Sequence, residues 1–509
     1  MTGAARRVAI RADASRTIGG GHVMRCLTLA HALAERGAEV LFVVNPGAAE
    51  LVPGLAASGF GVAEVAPGAA PLVDAVAGTW ADGADALVFD MYTMGRADHA
   101  AARAVARRIA VIDDLADRPH DCDILFDQTH GRGPAAYADL VPVGALRLVG
   151  AEHALLRPDF AALRPHSLAR REEGAPVRRI LISFGLLDIG GLSAVAARAL
   201  CGRGFALDLV VGSGAPTLPD LRALEAACGD LTLHVDSDRV AALMAAADLA
   251  LGAGGSTSWE RCCLGLPSVL AVVADNQRAI AANLSAAGAA VLLAEVTEAA
   301  VADAVAALAA DAEARIAMAR TCAAICDGRG AARLAGAILA PAVTVRPATL
   351  EDARNVWVWR HAGDAVRFYR SGQTTPWPDH LDWFTRALGD PRRDLLICQA
   401  EGRAVGHVRF DAADGAPTER WVSLCVDPDA RGDGLGARCL AAGCAHAAAG
   451  GAVRIHAHIH RDNAASLAVF ARCGFLDTGV REGEFGVFTL PQPGRAADGH
   501  RAQVTSSAN

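Results

Sequence analysis

The sequence predicts an α/β protein: a pair of Rossmann-like lobes followed by a smaller α+β domain. Three observations carry this. Short apolar runs alternate with amphipathic stretches through two consecutive blocks, which is the pattern of parallel sheets with crossover helices. After Pro341 the pattern turns to alternating strands with few helices, and most of the Trp residues fall there. At 509 residues the chain is also too long for one hydrophobic core.

The first block, 1–163, has buried runs at 8–10, 40–44, 86–89 and 109–112, each short enough for a strand. The amphipathic stretch 23–36 ends at Gly37, as a helix C-cap would. The charged stretch 164–179 reads as a linker into the second block, 164–340, with strands expected at 179–184, 206–211, 231–235, 248–252 and 268–273. The third block, 343–490, has strands expected at 395–400, 407–410, 421–426 and 453–458. Residues 491–509 are polar and aperiodic, so a disordered tail is expected there.

A formal charge of −8 argues against nucleic acid or an anionic membrane as partner. Anionic ligands must then be held locally, by helix N-termini and a few placed Arg side chains. The opening residues lack the apolar run of a signal peptide, and no uncharged apolar stretch approaches the roughly 18 residues of a membrane span. The 13 cysteines are odd in number and scattered in apolar segments, which suits reduced thiols in a cytoplasmic protein. Cys322 and Cys326 are four apart, but no second pair or His cluster completes a zinc site, so no metal is expected.

The first candidate site follows run 8–10: Arg11, Asp13 and Ser15, then Ile18, Gly19, Gly20, Gly21, His22, Val23, Met24, Arg25 and Cys26. Met24 stands where a dinucleotide fingerprint needs its third Gly. What remains is a glycine-rich turn delivering His22 to the first turn of a helix, whose positive dipole end disfavours imidazolium. Such an imidazole suits a general base for water, and suits equally a loop cap held by hydrogen bonds. The wider string is similar to the UDP-2,4-diacetamido-2,4,6-trideoxy-β-L-altropyranose hydrolases of pseudaminic acid biosynthesis. So are Asp90-Met91-Tyr92, Ile112-Asp113-Asp114 with Asp117-Arg118, and Leu155-Leu156-Arg157-Pro158. The resemblance covers residues 6–340 and implies a glycosyltransferase-B-like (GT-B-like) pair of lobes. It further implies His22 as catalytic base, Tyr92 in the sugar pocket, and Asp13 and Arg25 as substrate-site residues whose roles the motif leaves open.

The second candidate site is Gly252-Ala253-Gly254-Gly255-Ser256-Thr257-Ser258-Trp259-Glu260, followed by Gly265-Leu266-Pro267 and Asp275-Asn276-Gln277. Small residues let backbone approach a diphosphate, Ser256 and Thr257 can donate hydroxyls at a helix start, and Glu260 can accept both hydroxyls of a ribose. The order of these motifs resembles the UDP-binding lobe of GT-B enzymes. It implies that Gly255, Ser256, Thr257, Glu260, Asn276 and Gln277 bind substrate and that backbone near Val235 meets uracil. One departure stands out: where the family carries a Gly-Gly-x-Asp-Pro turn, this chain has Gly185-Leu186-Leu187-Asp188-Ile189.

The third candidate site follows run 421–426: Asp427, Pro428, Arg431, Gly432, Gly434, Leu435 and Gly436, then His460, Asn463, Ser466, Cys473, Gly474 and Phe475. Successive backbone N–H groups at a helix start cradle a pyrophosphate without basic side chains. The spacing resembles the GNAT acetyltransferase family over 343–480. That implies acetyl-CoA as cosubstrate, held by Val426, Arg431, Gly432, Gly434, Leu435, Gly436 and Asn463. Where the family often has a Tyr that protonates the leaving thiolate, this chain has Phe470.

Together the resemblances imply a bifunctional enzyme that acetylates a UDP-4-amino-sugar and then hydrolyses its UDP bond. A GT-B glycosyltransferase and a non-catalytic nucleotide-sugar-binding protein are the competing readings.

Overall fold

In the computed structural model, residues 5–15, 18–370, 372–431 and 434–491 are described. The first sheet is built of β1 (Arg7–Ala12), β2 (Glu39–Val44), β3 (Gly61–Glu64), β4 (Ala86–Asp90), β5 (Ile109–Ile112), β6 (Ile124–Asp127) and β7 (Leu146–Val149). Its order is β3-β2-β1-β4-β5-β6-β7, parallel throughout. Strands covered by helices on both faces bury nearly every residue, so β4 reads as one apolar run up to Asp90. The order reverses between β1 and β4, and ligands of such sheets bind beyond the strand ends at this switch.

The second sheet is built of β8 (Arg179–Ser183), β9 (Ala206–Val211), β10 (Leu231–Val235), β11 (Leu249–Ala253), β12 (Ser268–Ala271) and β13 (Val291–Leu292). It is parallel in the order β10-β9-β8-β11-β12-β13, with its switch between β8 and β11.

Two helices correct the expected lobe boundaries. The stretch 164–179 is no linker, because helix Pro158–Glu172 runs through the 163/164 boundary. Arg164 donates to the Cys263 carbonyl at 2.6 Å and Ser167 to that of Leu264 at 2.7 Å, fastening the helix to the second lobe. Conversely, helix Gly330–Leu339 returns to the first lobe: Ala331, Leu334, Ala335 and Ile338 share a core with Val23, Leu29 and Phe42. Each lobe thus ends in a helix that packs on the other.

The third sheet comprises β14 (Val343–Pro347), β15 (Arg393–Ala400), β16 (Arg403–Ala413), β17 (Ala416–Val426), β18 (Arg454–His460), β19 (Leu476–Glu482) and β20 (Phe485–Pro491). The order is β14-β15-β16-β17-β18-β20-β19, antiparallel except for β17 with β18. The expected tail beyond Pro491 lies outside the described residues.

This domain docks on β7, the edge strand of the first sheet, which removes an exposed edge. Leu146 enters the third domain's core, and a Cβ on Gly144 would lie 3.1 Å from that of Ala445. Arg108 of the first lobe donates to the Ala340 carbonyl at 2.9 Å, and Arg438 of the third domain to that of Pro341 at 3.3 Å. Both thereby satisfy backbone at the end of the returning helix, where carbonyls lack intrahelical donors.

Cys201 and Cys228 form a disulfide, against the expectation of reduced thiols; the remaining described cysteines are free and buried. Among the described residues no helix is long and apolar enough to cross a membrane, and no cluster of His, Cys, Asp or Glu could hold a metal ion.

Candidate active sites

At the switch of the first lobe, His22 is the second residue of helix Gly21–Ala34, which follows β1. Asp90 ends β4 beside it. The His22 Nδ1 lies 2.7 Å from Asp90 Oδ1, so the carboxylate accepts from Nδ1–H and leaves the Nε2 lone pair available. Arg25, one helical turn on, donates from Nε to Asp90 Oδ2 at 2.6 Å and from Nη1 to Asp114 Oδ2 at 3.0 Å. Burial pushes the Asp90 carboxyl up, but the charge and hydrogen bonds of Arg25 outweigh it and hold it well below the usual carboxylate range. The Tyr92 ring meets His22 edge-on with centroids 4.7 Å apart and is 37% exposed. It is thus open to a ligand. Burial, then the charge of Asp114, pushes its phenol up, so it acts as a neutral hydrogen-bonding group.

Asp13 and Arg25 are engaged inside the protein. Asp13 accepts from buried Arg11 at 3.1 Å and from the Asn45 N–H at 2.9 Å, which ties the ends of β1 and β2 together. Arg25 spends its donors on Asp90, the carboxylate that orients His22, and on Asp114. Asp90 and Asp114 are site residues that sequence reasoning passed over, although each stood in a quoted motif.

At the second switch, the glycines separate into two kinds. A Cβ on Gly252 would collide with the Ser183 carbonyl, and one on Gly254 would lie 3.0 Å from that of Ala281. At these two positions strand and helix packing leaves no room for a side chain. At Gly255 the nearest atom to an added Cβ is Gln277 Nε2, at 3.5 Å. Arg261 braces the turn, donating to the Ala253 carbonyl at 2.6 Å and to Ser258 Oγ at 3.1 Å. Ser256 is exposed at the start of helix Thr257–Cys263. Gln277 accepts from the Val273 N–H at 3.2 Å, and the Asn276 side chain lies outside the described residues.

Glu260 keeps some solvent access, yet burial pushes its carboxyl up to about 7 against the opposing charges of Arg157 and Arg261. The turn after β8 exposes Leu186, Leu187 and Ile189. Asn283, in helix Arg278–Ala286, donates to the His130 carbonyl at 2.8 Å, joining the second lobe to the loop that leaves β6.

In the third domain, β17 and β18 pair at Glu419↔Arg454, Arg420↔Ile455 and Trp421↔His456. Beyond Trp421 they diverge, and a cavity of about 1130 Å³ opens along the gap. Val426, Arg431, Gly434, Gly436 and Asn463 line it. Arg431 turns back to the Val426 carbonyl at 3.3 Å. Gly434 precedes helix Leu435–Ala449 with φ 73°, a left-handed conformation that L side chains rarely adopt. No described residue lies within 4 Å of a Cβ added there, so Gly434 has open space beside it among the described residues. Asn463 spends its side-chain oxygen on the Ser466 N–H at 3.0 Å, as N-cap of helix Ala464–Arg472. Leu435 is buried as the first residue of its helix, and Gly432 lies outside the described residues. Phe470 packs edge-on against Phe475 and brings no hydroxyl to the cavity.

A splayed parallel strand pair with a glycine-bounded helix start is the geometry of an acetyltransferase cofactor site, and residues 359–475 match the acetyltransferase (GNAT) family. The chain therefore joins two Rossmann-like lobes to a domain that matches the GNAT acetyltransferase family. Over 98 residues it is 38% identical to mycothiol acetyltransferase of Clavibacter michiganensis subsp. michiganensis (strain NCPPB 382), covering 19% of this chain and 30% of that relative. The chain thus spans under a third of that relative's length. Among solved structures, Acinetobacter baumannii MurG is 18% identical with a TM-score of 0.48, covering 65% of this chain and 99% of its own. The aminoglycoside acetyltransferase AAC(6')-Ib in complex with coenzyme A is 17% identical with a TM-score of 0.27, covering 29% and 94%.

Proposed function

We propose that the two lobes hydrolyse UDP-2,4-diacetamido-2,4,6-trideoxy-β-L-altropyranose to UDP and the free sugar, and that the GNAT domain N-acetylates the UDP-4-amino-sugar from which that substrate forms. The observation that carries the hydrolase reading is the His22–Asp90 pair, which leaves Nε2 free at a sheet switch point. His22 takes a proton from water as its oxygen bonds to the anomeric carbon, and the bond to UDP breaks. Asp90 accepts from Nδ1–H throughout and stabilises the imidazolium that forms. Tyr92 faces the sugar. Gly255, Ser256 and Thr257 meet the diphosphate, Glu260 the ribose, and Asn276 and Gln277 the sugar or phosphate.

Acetyl-CoA supplies the acyl group. Its pyrophosphate suits the backbone from Arg431 through Gly432 and Gly434 to Gly436, with Val426, Leu435 and Asn463 along its arm. The open space at Gly434 and the strand splay fit such a ligand. No metal takes part in this scheme, and the expected setting is cytoplasmic.

Mass spectrometry of UDP-4-amino-sugars incubated with the protein, with and without acetyl-CoA, tests the reading. UDP release that requires a second sugar acceptor would instead make the lobes a glycosyltransferase. Binding without turnover would make them a nucleotide-sugar sensor.

A further inference from the structure

The acetyl transfer proposed above needs a neutral amine, because an ammonium has no lone pair to attack a thioester. Strand β18 carries three histidines at alternate positions, hence on one face: His456, His458 and His460, and the last two line the cavity beside the strand splay. His456 has both ring nitrogens engaged, with Thr489 Oγ1 at 2.9 Å and Glu419 Oε2 at 2.8 Å. His460 is likewise closed, with Glu484 Oε2 at 3.2 Å and the Asp462 N–H at 3.2 Å.

His458 differs. Its ring stacks on Trp421, with centroids 4.1 Å apart and planes 2° from parallel. Its Nε2 lies 3.2 Å from Glu482 Oε2. Arg370 Nη1 sits 3.3 Å from both ring nitrogens, which places it over the ring and off the lone-pair direction. The ring is thus fixed between an indole and a guanidinium, with Nε2–H given to a carboxylate and Nδ1 left as an acceptor. Trp421 is also the last residue of β17 paired with β18, so His458 stands where the gap opens.

We propose that His458 takes the proton of the acceptor amine, held in place by Glu482. The inference rests on the acetyltransferase reading of this domain. The ammonium gives one proton to His458 Nδ1. The nitrogen lone pair then forms the C–N bond as the C–S bond breaks, and the second nitrogen proton neutralises the departing thiolate. His458 returns its proton to water. Phe470, which has no proton to give, is accommodated by this route.

Burial, then the charge of Arg370, keeps the His458 imidazole below its usual range, while Glu482 opposes them. The charged groups facing it are Arg370 and Glu482 with neighbours His456 and His460; Arg360, Arg409, Asp411, Arg431 and Arg472 line the same cavity.

The test follows CoA-thiol release by the full chain from acetyl-CoA and a UDP-4-amino-sugar across pH. His458→Gln should lower kcat/KM at pH 7 by about 10²–10⁴-fold, recover as rising pH frees the amine, and leave acetyl-CoA affinity by calorimetry unchanged. Glu482→Gln removes a charge that favours imidazolium, so the acid limb of the rate profile should move to lower pH. In the wild type, the NMR titration of His458 should coincide with that limb, a readout independent of whether any variant folds. A wild-type rate and profile in His458→Gln overturns the proposal, as does a mismatch between titration and limb. No thiol release by the wild type at any pH overturns the acetyltransferase reading itself, and the base with it.

Discussion

His22 and Asp90 meet across the switch of the first sheet, Nδ1 to Oδ1 at 2.7 Å, although they lie 68 residues apart in sequence. The pairing follows from strand order, since β1 and β4 are neighbours and the chain segments leaving them converge. Arg25 closes the arrangement by holding the same carboxylate. A single buried charge thereby sets the imidazole's tautomer and its orientation.

His22→Ala should therefore lower UDP release by about 10²–10⁴-fold and leave UDP affinity within a few-fold. Asp90→Asn should lower turnover comparably. It should also destabilise the fold, by roughly 3–5 kcal/mol, because Arg25 then loses a buried partner. Steady-state kinetics and thermal unfolding read the two effects separately. Near-wild-type turnover in His22→Ala would remove this histidine from the mechanism.

Glu260 yields a proton-linkage prediction. With its carboxyl near 7 in the free protein, it is about half protonated at pH 7. Ribose hydroxyls donate to the ionised form and so favour it. UDP binding should then release up to about half a proton at pH 7, and affinity should weaken as pH falls below 7. Because the folded pKa lies above the unfolded one, this group's contribution to stability is full below the unfolded value and is lost as pH rises through 7. Calorimetry in buffers of different ionisation enthalpy measures the release. Glu260→Gln should abolish it and weaken UDP binding about tenfold or more; unchanged affinity would refute the ribose contact.

Strands buried on both faces were legible in the sequence because they leave continuous apolar runs, as in 86–89. β3 (Gly61–Glu64) was not, since it is an edge strand with mostly exposed residues. β6 and β7 were missed because Asp127 and Arg147 interrupt short runs, and both are buried by tertiary partners no local pattern reveals. The glycine-flanked His22 could be found locally; its carboxylate could not, because the pairing depends on strand order. The alternation of His456, His458 and His460 was visible, but only the structure shows which of the three keeps a nitrogen available.

The domain junction offers a stability test. Arg147 of β7 is buried, and its Nε and Nη1 have no hydrogen-bond partner among the described residues. A Cβ on Gly474, where φ is +86°, would collide with the Arg147 guanidinium. Gly474→Ala should destabilise by more than about 1 kcal/mol. Arg147→Met replaces a poorly paired buried cation with an apolar side chain and should leave stability equal or higher. Combining the two should cost less than Gly474→Ala alone, because the collision is relieved. Additive thermal shifts would show that the two positions do not interact.

The last prediction concerns order: acetylation in the GNAT domain precedes hydrolysis in the lobes. A free 4-amino group is charged near neutral pH, and burying it unpaired in a sugar pocket is costly. Acetylation removes that charge and adds an amide donor and acceptor. A pocket built to hydrogen-bond that amide penalises a substrate lacking it. UDP-4-amino-sugar alone should therefore release UDP slowly, and acetyl-CoA should accelerate release after a lag. Gly434→Trp should remove the acceleration, because it strains a left-handed position and fills the open space beside it. It should leave hydrolysis of pre-acetylated substrate intact, because Gly434 lies in the third domain, apart from the His22 site. Equal hydrolysis rates for the amino and acetamido substrates would refute this order, since the lobes would then be indifferent to the group that the GNAT domain installs.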